Sequence, residues 1–289
     1  MRSVRRCGLA VGGWAFAMAG GCSAPQAGLI DGELRLPKVL REVSGVTWVD
    51  ERTIACVQDE VGSLFFVDLR GERPVREVPF GPPGDYEGLA RVGEAYWVLR
   101  SDGVLLQLEA RGPQLVIAAT HRLLLPHQEY EGLCFDPVRR ALLVLPKDLV
   151  GDGPDGKAQV GVHAFDLATG AFQPEPVLVL QRRVVQEQLE RLGVALPVRT
   201  TSKGKERPVL KLHCSEIAVL PGSDDLLVLS AVDHLLLRIA PDGSVRGARS
   251  LDAAQLPQPE GMTVLADGRL LVASEGGKGR AVAWVVPLP

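Results

Sequence analysis

Cysteine is scarce in this 289-residue chain and badly placed for cross-linking. Of the five present, Cys7 and Cys22 lie near the N-terminus, which leaves Cys56, Cys134 and Cys214 in the body of the chain. Three is an odd number and there is no C-x-x-C spacing, so neither a disulfide framework nor a thiolate zinc site is indicated. Buried free thiols are the expected state. A marked charge imbalance is also missing: the formal net charge is −3, which gives no basis for nucleic-acid binding. After residue 21 no segment approaches the roughly 18 unbroken apolar residues that a membrane span requires. The familiar catalytic signatures are absent as well. There is no G-x-S-x-G elbow, Gly276-Gly277-Lys278-Gly279 lacks phosphate-loop spacing, and Asp152-Gly153-Pro154-Asp155-Gly156 lacks the spacing of an EF-hand.

What is present begins with an export signal over residues 1–21. Met1-Arg2-Ser3-Val4-Arg5-Arg6 is a basic start, and Leu9 to Met18 is apolar with small residues. Ala19-Gly20-Gly21-Cys22 then matches the bacterial lipobox in all but its first position, where Leu or Val is usual. Cys22 is therefore the expected lipidation site, an ordinary secretory signal being the alternative. Arg5-Arg6 also fits a twin-arginine signal, from which Cys7-Gly8 departs. These features predict an exported protein of the cell envelope, held to a membrane by a lipid anchor. Residues 22–32 would be a linker and residues 33–289 one folded domain.

That domain repeats. A (Ser/Glu)-Gly-apolar block occurs at Ser44-Gly45-Val46, Glu87-Gly88-Leu89, Glu131-Gly132-Leu133, Ser215-Glu216-Ile217 and Glu260-Gly261-Met262. The starts are separated by 43, 44, 84 and 45 residues, and 84 is close to two periods. A period of about 40–50 residues built from short strands is the mark of a β-propeller. Each unit yields an a-strand, a b-strand after turn residues such as Asp136-Pro137 or Asp267-Gly268, a c-strand, and an outer d-strand. The fifth unit ends after strand c, so Glu33 to Pro37 is the natural outer strand to close the ring. The expected fold is all-β, a propeller of five four-stranded blades. A sixth blade starting near Gln173 is the alternative. Against it, Gln181 to Leu192 has helical spacing, with Val184, Val185, Leu189 and Leu192 on one face, and Arg199 to Arg207 lacks strand periodicity. Residues 181–213 therefore read as a helical, basic insertion.

Strand topology gathers the starts of strands a and the ends of strands b at one mouth of the central channel. Carboxylates dominate there, and crowded carboxylates must be protonated, paired or neutralised by a cation. Asp59, Glu87, Glu131, Glu260 and Glu275 form a candidate oxygen-ligand set for Ca²⁺. Glu87 and Glu131 are candidate acid–base groups, and Lys147, Asp148, His213, Ser215 and Glu216 are candidate ligand contacts. The other reading is structural: each Glu caps backbone N–H groups at the tight start of strand a. His213 fits a hydrogen-bonded rim histidine or, less directly, a base for Ser215. The insertion carries eight Lys or Arg against three Glu, so a basic flap could recruit an anionic small ligand or neutralise the acidic rim.

Glu42-Val43-Ser44-Gly45, Asp85-Tyr86-Glu87-Gly88-Leu89, Glu129-Tyr130-Glu131-Gly132-Leu133-Cys134, Lys147-Asp148, Pro259-Glu260-Gly261-Met262 and Ala273-Ser274-Glu275-Gly276 resemble, in order, motifs of the SdiA-regulated (YjiK-like) family. The resemblance spans Glu33 to Leu288. One block departs from it: the family's fourth unit reads Pro-Ser-Gly-Ile, and here it is Cys214-Ser215-Glu216-Ile217. The resemblance implies an extracytoplasmic propeller, often a lipoprotein, related at a distance to phytase-like and lactonase-like propellers that hold Ca²⁺ in the channel. Two functions follow as expectations. One is a module binding a cation, a small ligand or an envelope partner; the other is a Ca²⁺-dependent phosphoesterase or lactonase/esterase.

Overall fold

The computed structural model describes residue 30 and residues 32–123, 129–151, 158–200 and 204–289. The export signal, Cys22, Lys203 and the Asp152–Gly156 turn lie outside the described residues.

Five radial sheets surround a channel. Blade 1 runs Val43–Asp50, Thr53–Gln58, Ser63–Asp68 and Arg76–Pro79 from the inside outward, and blade 2 runs Tyr86–Val92, Ala95–Arg100, Val104–Arg111 and Gln114–Arg122. Blade 3 has Tyr130–Asp136, Ala141–Pro146 and Gln159–Asp166; Ala171–Phe172 and Leu178–Gln181 both pair with that third strand and share the outer position. Blade 4 is Cys214–Val219, Leu226–Ser230, Leu235–Ile239 and Val245–Ser250. Blade 5 is Pro259–Val264, Leu270–Ser274 and Val282–Val286, completed by Glu33–Arg35. The closing strand pairs Glu33 with Trp284 and Arg35 with Val282, so the first and last strands of the domain lock one blade. Among the described residues the count is five, and no sixth blade begins at Gln173.

The glycines of the repeat explain how the inner strands fit. A Cβ on Gly45 would stand 2.5 Å from Leu89 N of blade 2, one on Gly88 2.5 Å from Leu133 Cβ of blade 3, and one on Gly261 2.5 Å from Ser44 O of blade 1. Gly132 is looser, with Ile217 N of blade 4 at 3.0 Å. Inner strands this close leave no room for a side chain. Val46, Leu89, Leu133 and Met262, which follow these glycines, and Ile217, which follows Glu216, are all buried.

The insertion between blades 3 and 4 holds α1, Arg182–Arg191, the one α-helix among the described residues. Three sequence expectations need correction here. Val185 and Leu189 are buried, but Val184 and Leu192 are exposed, so the helix face is narrower than its spacing implied. The ends of the Arg199 to Arg207 stretch are strands, because Val198–Thr200 and Glu206–Pro208 pair antiparallel. The helix does not lie over the channel. It packs down the outer flank with Leu178, Leu180 and Val245, and Val245 N donates to Gln188 Oε1 at 2.7 Å. Val185 and Leu189 are buried there in one apolar cluster with strands of blades 3 and 4.

Candidate site at the acidic mouth of the channel

The register slips at the same point in every inner strand: between Tyr86 and Gly88, Tyr130 and Gly132, Cys214 and Glu216, Pro259 and Gly261, and between Val43 and Val46. A bulge of this kind leaves one residue unpaired and re-aims its side chain. The bulged residues are Glu87, Glu131, Ser215, Glu260 and, in blade 1, Ser44 with Gly45. The fivefold block is thus a ring of β-bulges at the upper mouth, and the ends of strands b bring Asp59, Lys147 and Glu275 to the same level.

Lys147 is the central cation. Its Nζ lies 2.6 Å from Glu131 Oε1 and 3.7 Å from Glu129 Oε2. Burial pulls the ammonium down, but the bond to Glu131 and the charges of Glu131, Glu87 and Glu129 outweigh it and hold the pKa above the usual lysine value. Glu131 is buried, and burial raises its carboxyl while Lys147 opposes the rise. Glu87 is pushed up to about 9, first by burial and then by Glu131 and Asp85. Burial, then Glu131 and Glu275, push Glu260 up to about 8. Glu275 rises to about 7 through burial and the charges of Asp59 and Glu42. Asp59 rises to about 6 through burial, Glu42, Glu60 and Asp85, and its Oδ1 is shielded from solvent without a hydrogen-bond partner. One ammonium cannot neutralise this many carboxyls, so protons fill the deficit at neutral pH.

The candidate residues therefore separate into groups. Asp59, Glu87, Glu131, Glu260 and Glu275, with Lys147, feel one another's charge around the ring. Among the described residues, however, no three His, Cys, Asp or Glu side chains stand close enough to hold one metal ion. Lys147, seated against Glu131 at 2.6 Å, already supplies that carboxyl with a positive charge. His213 and Asp148 lie on the rim, half-exposed, with Nδ1 and Oδ1 3.6 Å apart. Ser215 is buried, and its Oγ donates to the Pro259 carbonyl at 2.8 Å, stitching blade 4 to blade 5. The hydroxyl proton is thus committed to a backbone carbonyl rather than to a base.

At the block that lacks glycine, Glu216 caps two backbone N–H groups. Its Oε1 accepts from Leu133 N and Ile217 N, each at 2.9 Å, while Oε2 is shielded without a partner. Burial drives this carboxyl well above the usual range, although the two N–H bonds oppose the shift. Replacing Glu216 by Ala strands both donors and is expected to cost about 2 kcal/mol, a fall in Tm of roughly 4–8 °C. Glu216→Gln keeps the accepting oxygen and should lose clearly less in the same thermal melts.

Sequence reading missed Asp233, which fastens the insertion to the mouth. Its side chain accepts from Leu212 N at 2.7 Å, Ser230 Oγ at 2.8 Å, Arg199 Nη2 at 3.0 Å and Lys211 N at 3.1 Å. The four bonds hold Leu212 at φ +57°, a strained conformation for a leucine, directly before His213. The local signal was Ser230-x-x-Asp233 in a turn, but the three partners beyond that turn are brought in only by the fold.

No protein-family model and no curated protein matches the chain. Solved structures do. A Myxococcus xanthus glutaminyl cyclase superposes with TM-score 0.54 at 17% identity, over 88% of this chain and 97% of that one. A candidate oxidoreductase (glucose dehydrogenase) of Thermus thermophilus gives 0.50 at 12%, over 88% and 99%. A streptogramin B lyase gives 0.47 at 13%, over 89% and 98%. At such identities the likeness is one of fold: the chain is a β-propeller, similar in architecture to enzymes of differing chemistry.

Proposed function

We propose that this chain is an exported propeller of the SdiA-regulated (YjiK-like) type, anchored through a lipid on Cys22, that binds a small cationic ligand at the acidic mouth. The observation that carries the reading is the ring of bulges, which sets Glu87, Glu131 and Glu260 around one ammonium with too little positive charge among them. A ligand bearing an amine would supply the missing charge and expel protons from Glu87, Glu260 and Glu275. Envelope polyamines have this chemistry, as do cationic side chains of an envelope protein. Ca²⁺ belongs to the same reading only if Glu131 turns away from Lys147.

Calorimetric titration of spermidine and, separately, of CaCl₂ into EDTA-treated protein tests this, in two buffers of different ionisation enthalpy. Binding is expected with net proton release, lost in Glu87→Gln combined with Glu260→Gln. Neither heat nor a change in Tm with either cation would remove the reading.

A second reading is a hydrolase in which Glu87 is the general acid and Glu131 the base. It rests on the different surroundings of the two carboxyls: Lys147 bonds Glu131 at 2.6 Å and favours its ionised form, while burial and the charge of Glu131 push Glu87 up to about 9. An esterase and phosphodiesterase screen, with Glu87→Gln and Glu131→Gln as controls, decides it. Activity surviving both substitutions rules these residues out.

A further inference from the structure

The lower end of the channel is built differently from the upper. A cavity of about 450 Å³ opens there, within the size range of small-molecule sites. Its inner layer is Val46, Leu89, Leu133, Ile217 and Met262, one apolar residue from each blade, and half-buried Trp48 and Phe135 form part of its wall. The close approach of the inner strands at Gly45, Gly88 and Gly261 makes the channel narrow above this layer. Strand rise gives the funnel a depth of roughly 10 Å.

Among the described residues, its one charged lining residue is Arg91. Nη1 donates to the Val49 carbonyl and Nη2 to Glu94 Oε1 at 3.3 Å, but Nε is shielded from solvent and has no hydrogen-bond partner. Nη1 and Nη2 each make one of these bonds and carry a second N–H, so the half-buried guanidinium keeps donors for an acceptor at the rim of the funnel, preferably an anionic one. The N-terminal chain also arrives on this side. Arg269, at the lower turn of blade 5, donates from Nη1 to the Ile30 carbonyl at 2.8 Å. From Ile30 back to Cys22 is eight residues, a reach of at most ~28 Å.

We propose that the lower funnel is a second binding site, for a medium-chain carboxylic acid whose apolar chain fills the cavity and whose carboxylate meets Arg91. The site is independent of the acidic mouth, because the two lie at opposite ends of the channel and carry opposite chemistry.

Titrations of decanoate and 1-decanol into the full chain and into Cys22→Ser, followed by calorimetry and Trp fluorescence, test the proposal. One decanoate per chain is expected, bound about tenfold more tightly than decanol, the worth of one charge-assisted hydrogen bond. Arg91→Met should abolish that preference and leave decanol binding in place. Thr47→Trp and Ala218→Phe, two separate ways of filling the funnel, should abolish both. Uptake by Cys22→Ser alone supports the site and shows that an acyl group on Cys22 already fills it. Binding that does not saturate, equal affinity for acid and alcohol, or indifference to both filling substitutions overturns the proposal. Spermidine binding at the mouth should survive every funnel variant, so failure at one end is distinguishable from failure at the other.

Discussion

Gly45→Ala is expected to lower Tm by about 6–12 °C, equivalent to about 3 kcal/mol of overpacking in a domain of this size. The new methyl would meet Leu89 N at 2.5 Å, Glu87 O at 2.8 Å and Gly88 C at 2.8 Å, all backbone atoms. A flexible side chain could swing aside, but an inner strand cannot move without displacing a blade. Gly261→Ala faces Ser44 O at 2.5 Å and should behave alike, whereas Gly132→Ala, with Ile217 N at 3.0 Å, should lose clearly less. Thermal melts of the three variants check the order. A Gly132→Ala loss as large as the other two would show that the difference in inner-strand spacing does not set the cost, since the entropy of the unfolded chain favours Ala at all three positions.

Lys147→Met is the second large effect, and it depends on pH. Removing the ammonium leaves Glu131 buried beside Glu87 and Glu129 with no counter-charge. Loss of one partner of a well-buried pair costs about 3–5 kcal/mol, and the partial exposure of Lys147 reduces this to about 2 kcal/mol at neutral pH. The wild-type protein already leans the same way. Glu87, Glu260, Glu275 and Asp59 all have folded pKa values raised above their unfolded ones, to about 9, 8, 7 and 6. Between pH 4 and 9 the folded state therefore binds more protons than the unfolded chain, and stability falls as pH rises. Tm should decline from pH 5 to pH 9 and decline more steeply in Lys147→Met. Glu87→Gln should flatten the upper part of that slope. A Tm independent of pH across this window would mean that these carboxyls are solvated as in the unfolded chain. The same slope offers a readout of ligand, since a bound cation stabilises the ionised carboxyls and should reverse it at high pH.

The fold was legible because propeller blades repeat at the level of single residues. Ser44-Gly45 and its four counterparts mark the one place where the inner strand bulges, so their period counts blades without any tertiary information. Glu33 to Pro37 was legible for a similar reason, since the fifth unit lacked an outer strand and an apolar stretch stood at the other end of the domain. The strand character at the two ends of Arg199 to Arg207 was not, because this mostly exposed pair buries nothing that would impose alternation. Helix α1 was found, but its place was not. Periodicity tells that Val185 and Leu189 need an apolar partner and is silent on which surface provides it.

The sequence by itself determined that this protein is a β-propeller with carboxylates collected at one mouth, because alternation, turns and the repeat are local properties of the chain. Tertiary structure alone decided the charge state of that mouth, since protonation depends on burial and on neighbours such as Lys147 and Glu131 that lie on different strands. It also decided that Glu216 caps two inner-strand N–H groups, that Ser215 is a stitch between blades, and that an apolar funnel with Arg91 at its rim lies at the opposite end. Each of these depends on which side chains of separate blades meet at the axis, and contacts of that kind have no signature in a single strand.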